Sequence, residues 1–213
     1  MNNQSNKKQN RLNGNFSLKT GFMFSLKANI LLIMLIFTFL VNKAEWQYDG
    51  GTSVIMFVTF AELFIILLSA LVFIKPNVNN EGKGNEREQS KEWIGALIAF
   101  VSLSLFSLIF LGANIPYPST LIFLTLMTNF MVSLYSVVFH PVALGIYKAN
   151  VFQEKTTMLD YIFKYIAIFL SGINYYMQRT LLKLPLLINK LIAVVFVLFL
   201  LWQGFGVIAI FDK

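Results

Sequence analysis

MLDYIFKYIAIFLSGINYYM, residues 158–177, is the stretch on which the architecture turns. Read as a membrane-spanning helix it is one of six; read as a helix lying in the interface it leaves five. Asp160 and Lys164 interrupt it and aromatic residues crowd it, a composition suited to a helix half-sunk in the headgroup region. The charge distribution favours the second reading. With five spans and a cytoplasmic N-terminus, all of the 17 Lys and Arg except Lys43 and Lys213 fall on the cytoplasmic side. A sixth span at 158–177 would carry Arg179, Lys183 and Lys190 outside, against the preference of cytoplasmic loops for basic residues.

Working outward, the chain of 213 residues is 57% hydrophobic and only 13% charged, and 22 of its residues are Phe. Soluble domains carry about 25% charged residues and cannot hide so much apolar surface. This is the composition of an integral membrane protein. Cysteine is absent, which excludes disulfides, thiolate metal sites, iron–sulfur clusters and Cys nucleophiles. A single His excludes a His-based metal cage or a haem-ligating His pair within one chain. The net charge of +7 follows from topology more simply than from nucleic-acid binding.

The polar, Asn- and Lys-rich tail 1–20 has little to bury and reads as a flexible cytoplasmic segment. A four-span unit over 21–147 follows. Its first span runs from Gly21 to Val41 with Lys27 snorkelling, and reads as an uncleaved signal anchor. Its second runs from Val54 to Ile74, and the charged cytoplasmic loop 75–92 comes next. The third, WIGALIAFVSLSLFSLIFLGA (93–113), is joined by the short link NIPYP to the fourth, forcing an antiparallel hairpin. The fourth starts at Ser119, and Pro141 should kink or end it. A basic, interfacial segment over 148–190 leads to a final transmembrane helix in 191–213. The fold class is therefore all-α, a polytopic helical bundle of about five transmembrane helices, four being the alternative, plus one interfacial amphipathic helix. Trp46, Trp93 and Trp202 read as interfacial anchors.

Polar residues inside the spans are the candidate functional set. Glu62 stands midway along the second span, where a charge costs at least about 2.5–3.5 kcal/mol on insertion scales. Thr59 and Ser69 share its helical face. On the fourth span Thr125, Asn129, Ser133, Ser136 and His140 recur at spacings that form one stripe, which should face other helices or water. Counted from the outer ends, Glu62 and Asn129 come level, so Asn129 and Ser133 are the expected partners of Glu62, with His140 a helix-end residue too deep to join them. Assembly is the plainest reading of the set; gating, sensing and an ion path are the alternatives. On the third span Gly95, Ala99 and Ser102 form a surface for close helix approach.

No phosphate loop, nucleophile elbow or His-Glu-x-x-His motif is present, so the expectation is a protein that is not an enzyme, without cofactor or metal. Lys148, Lys155, Lys164, Arg179, Lys183 and Lys190 make the segment 148–190 a candidate contact for a cytoplasmic protein partner or anionic lipid. Three functions fit: a homo-oligomeric membrane subunit that senses membrane state and signals to a cytoplasmic partner; an accessory subunit of a larger enzyme complex, which the sequence does not separate from the first; or a small oligomeric channel or transporter lined by Glu62 and the Thr125, Asn129 and Ser133 stripe. The tail MNNQSNKKQN, the few spans with short outer links such as NIPYP, and the missing catalytic motif together resemble the small membrane subunit of the Kiwa bacterial anti-phage system. That resemblance implies an oligomeric sensor of phage attack at the inner membrane with a soluble, nucleic-acid-interacting partner. It carries over no individual residue, and it implies four spans against the five read here.

Overall fold

The computed structural model describes residues 18–47, 49–74 and 89–211, so most of the polar tail and of the loop 75–92 lie outside the described residues. Those described are all helical apart from short connections. In chain order they form α1 (Leu18–Val41), α2 (Gly50–Ile74), α3 (Gln89–Ser107), α4 (Ser119–Phe152), α5 (Met158–Leu181) and α6 (Leu186–Phe211). Short 3-10 turns occupy Lys43–Glu45 and Leu108–Ala113. Five segments are long and apolar enough to cross a membrane: Gly21–Val41, Gly50–Phe73, Ser90–Ala113, Ser119–Phe152 and Leu186–Phe211. As helices they close their backbone hydrogen bonds within themselves, which hydrocarbon demands, except where Pro141 interrupts the fourth. The second and last begin at Gly50 and Leu186, earlier than Val54 and residue 191. Apolar count alone places a helix end too late, because polar and small residues still extend the backbone ladder.

Neighbouring spans are antiparallel. The α1–α2 link is held by Trp46, whose indole N–H donates to Phe39 O at 3.2 Å and whose side chain packs on the core, so it is a strut more than an interfacial anchor. Asn114 closes the Leu108–Ala113 turn in the left-handed region at φ 59°, which Asn tolerates. Asn42 ties the two links together, donating to Pro116 O at 3.0 Å and Ser119 Oγ at 2.9 Å. The core lies between α2, α4 and α6, with Phe57, Phe196, Leu200, Val207 and Ile210 nearly inaccessible.

α4 runs through Pro141 to Phe152, so His140 lies inside a helix and not at its end, and 148–152 belongs to α4. The proline ring displaces the backbone at Phe139 to φ −109°, ψ 46°, a kink without a break.

α5 crosses the bundle instead of running along it. Take the Ser107–Thr120 contact (3.1 Å) as a common level for α3 and α4. Gly95, packed on Tyr161 of α5, then lies about 18 Å below it. Asn129 and Ser136, bonded to the middle of α5, lie about 14 and 24 Å below it. From Tyr161 to Asn174 α5 is about 20 Å long, yet the level met at Tyr161, about 18 Å, falls inside the range met at Asn174, about 14–24 Å. The N-terminal half exposes Leu159 and Phe163, as an interfacial helix should, while the C-terminal half is buried at Asn174, Tyr175, Met177, Gln178 and Leu181. An interfacial helix is therefore half the description; the other half is a buried helix packed on α4.

Candidate functional site

α5 begins with a capping box: Asp160 N–H donates to Thr157 Oγ1 at 3.3 Å, and Thr157 N–H donates to Asp160 Oδ2 at 2.8 Å. Donation from the Thr157 and Thr156 backbone holds the Asp160 carboxyl down at about 2. One turn on, Lys164 forms a 2.5 Å ion pair with Glu92 of α3, and Tyr165 donates its hydroxyl to the same carboxylate oxygen at 3.1 Å. Gly95 makes that approach feasible, because a Cβ there would sit 2.6 Å from Tyr161 Cβ. Ala99 continues the packed face at 1% exposure. Ser102 does not: it is exposed, because α5 crosses α3 below that level and leaves the next turn uncovered.

The polar stripe of α4 meets α5 in a buried ladder. Asn129 is fully inaccessible and its amide reads the α5 backbone twice, donating to Phe169 O at 3.3 Å and accepting from Asn174 N–H at 3.0 Å. The next rung is Asn174, which accepts from Ser133 Oγ at 2.9 Å and donates to Ser136 Oγ at 2.9 Å. Gln178 Nε2 donates to Asn174 Oδ1 at 3.4 Å. Below these, His140 follows Ser136 by one turn and Gln178 follows Asn174 by one turn. His140 Nε2 and Gln178 Oε1 are both buried without a hydrogen-bond partner.

The kink supplies one more polar contact. Pro141 has no N–H, so the carbonyl four residues earlier, Val137 O, loses its helical donor. Lys190 of α6 donates its ammonium to that oxygen. Lys190 is thus a cap inside the bundle, and Lys164 is spent on Glu92; neither is a free surface cation. Lys155 donates to Ala149 O at 3.2 Å across the α4–α5 link, while Lys148 is exposed. Arg179 and Lys183, both half-buried, also have partners of their own.

Glu62 belongs to a different place. Its Oε1 accepts from Asn29 Nδ2 of α1 at 3.5 Å, and its Oε2 is buried without a partner. The expected pairing with Asn129 or Ser133 is not made, because those side chains turn to α5. Asn29 is held in turn by Ser25 O at 3.1 Å. Thr59 is exposed, and Ser69 donates to Ile65 O of its own helix at 2.7 Å, so neither supports Glu62. Thr125 likewise bonds only within α4, to Leu121 O at 2.8 Å. Sequence reasoning missed Asn29, Asn174, Gln178 and the buried role of Lys190. The signal for Lys190 was present in part, since Pro141 orphans Val137 O by rule; the identity of its cap was not.

With this geometry in view, the chain was compared with known proteins: no family model, no curated protein and no solved structure matches it.

Proposed function

We propose that this chain is a non-catalytic subunit of a membrane assembly that senses the state of the bilayer and passes it to a cytoplasmic protein. The supporting observation is α5: an amphipathic helix with Leu159 and Phe163 exposed along one half and Asn174 locked into the bundle along the other. Apolar side chains of such a helix sink into the headgroup–acyl boundary, so their burial depends on lipid packing and composition. The ladder ties that half to α4, and α4 carries the response to its end at Phe152. The side holding α5 is the cytoplasmic one by the distribution of Lys and Arg, and the membrane is the inner one if the Kiwa resemblance holds. That resemblance also supplies the stimulus, phage attack, and rests on layout alone.

The channel reading keeps one specific support, the unpaired Glu62 Oε2 beside Asn29. Its other wall is gone, since Asn129 and Ser133 are occupied by α5. The deciding experiment is purification from native membranes in mild detergent, with mass determination and identification of co-purifying proteins. A soluble protein at fixed stoichiometry, lost in Leu159→Glu or Phe163→Glu, supports the sensor. A symmetric homo-oligomer without partner, with liposome flux abolished by Glu62→Gln, overturns it.

A further inference from the structure

α2 and α6 form an open groove of about 560 Å³ between them. Its floor is made of rings: Phe64 stacks on Phe199 with centroids 4.6 Å apart and planes 9° apart, and on Phe196 at 5.3 Å and 20°. Leu63, Leu67, Val195 and Leu198 form the rims, and Phe60 against the edge of Trp202, at 5.8 Å, closes the end nearer Gly50. Apart from the Trp202 indole N–H, the lining is hydrocarbon and ring carbon.

We propose that this groove is a retained lipid site holding one acyl chain of a membrane phospholipid. The two walls are both candidate spans, so what borders the groove is lipid hydrocarbon. Water has no partners there, since a hydrated cavity must offer each water two or more polar groups. An unfilled groove would forfeit dispersion contacts along its whole length, which makes occupancy by the adjacent medium favourable. Retention follows from the floor. Rings locked in stacks lose no further rotamer freedom when a chain lies on them, whereas a surface of mobile Leu and Met must order itself first. Leu63, Leu67, Val195 and Leu198 flank the chain on both sides and add dispersion contacts to those of the floor. A polypeptide helix fits less well, because the rims are large branched residues and close helix association in membranes favours small ones.

The full chain is extracted in mild detergent, exchanged against palmitoyl-oleoyl phosphatidylglycerol, stripped of loose lipid and weighed by native mass spectrometry. One phospholipid per chain should remain, and Leu198→Phe, which fills the groove from its rim, should lose it. Absence of the adduct, equal retention by the variant, or a dimer free of lipid overturns the proposal. Leu198→Phe risks overpacking, so a second measurement leaves the groove intact. In a Trp46→Phe, Trp93→Phe chain, Trp202 is the remaining tryptophan, and its emission should fall when the exchanged lipid is brominated on the acyl chain. Unchanged emission in the stripped state overturns the proposal as well.

Discussion

The α1–α2 hairpin and the α4–α5 contact bury polar side chains of the same kind and use them differently. Between α4 and α5, Ser133, Ser136 and Asn174 satisfy one another and Asn129 satisfies two α5 backbone groups, over about two turns. Between α1 and α2 a single Asn29–Glu62 contact is long, at 3.5 Å, and leaves Glu62 Oε2 orphaned. Apolar matching supplies little preference between helices in lipid, so satisfied polar ladders specify which faces meet. The ladder specifies a mate; the hairpin is specified by its short link and carries its carboxylate as an unresolved polar group.

Breaking the ladder should therefore cost most. Asn174→Leu removes the acceptor of Ser133 Oγ and Gln178 Nε2 and the donor to Ser136 Oγ together, while the backbone bond to Asn129 Oδ1 stays, and a loss of about 2–3 kcal/mol is expected in unfolding from detergent micelles. Protease cleavage in 153–157 should rise in parallel; an unchanged unfolding midpoint would show the ladder to be ornamental. Gly95→Leu attacks the same helix pair sterically, and overpacking of about 1–3 kcal/mol is expected, with a crosslink between cysteines placed at 92 and 164 lost. Lys190→Met removes the donor to Val137 O at the kink, for about 1–2 kcal/mol by the same assay. On the hairpin, Glu62→Gln keeps an acceptor for Asn29 and should change stability by less than about 1 kcal/mol. A larger loss would mean the hairpin is specified by Glu62 after all.

The smallest effect concerns pH. The folded Asp160 carboxyl at about 2 is below its unfolded value near 3.9, so capping stabilises α5 above about pH 4 and that contribution fades as pH falls toward 2. Amide protection at residues 158–162, taken relative to the intrinsic exchange rate at each pH, should fall over that window, and Asp160→Asn should flatten the response.

Much of the architecture was legible before any coordinates. The five spans follow from apolar length, and the α4 stripe follows from helical spacing. The mate of the stripe did not. Depth arithmetic made Glu62 and Asn129 level, but level is not adjacency, and azimuth depends on packing that one helix does not encode. Asn174 and Gln178 sat in a stretch whose aromatic residues suggested an interface, which concealed a polar face pointing inward. Ser102 failed for a related reason: its spacing from Gly95 is correct, yet a crossing partner covers only the turns it crosses.

The kink at Phe139 has a mechanical consequence. Beyond it α4 continues for 13 residues, an arm about 20 Å long, clasped through Tyr147, whose ring stacks on Tyr175 of α5 at 4.1 Å. A hinge rotation of about 10° displaces the far end of such an arm by about 3 Å. Such a rotation would be geared to α5 through the Tyr147–Tyr175 stack. Any adjustment where Lys190 meets Val137 O would be multiplied along this arm at Phe152.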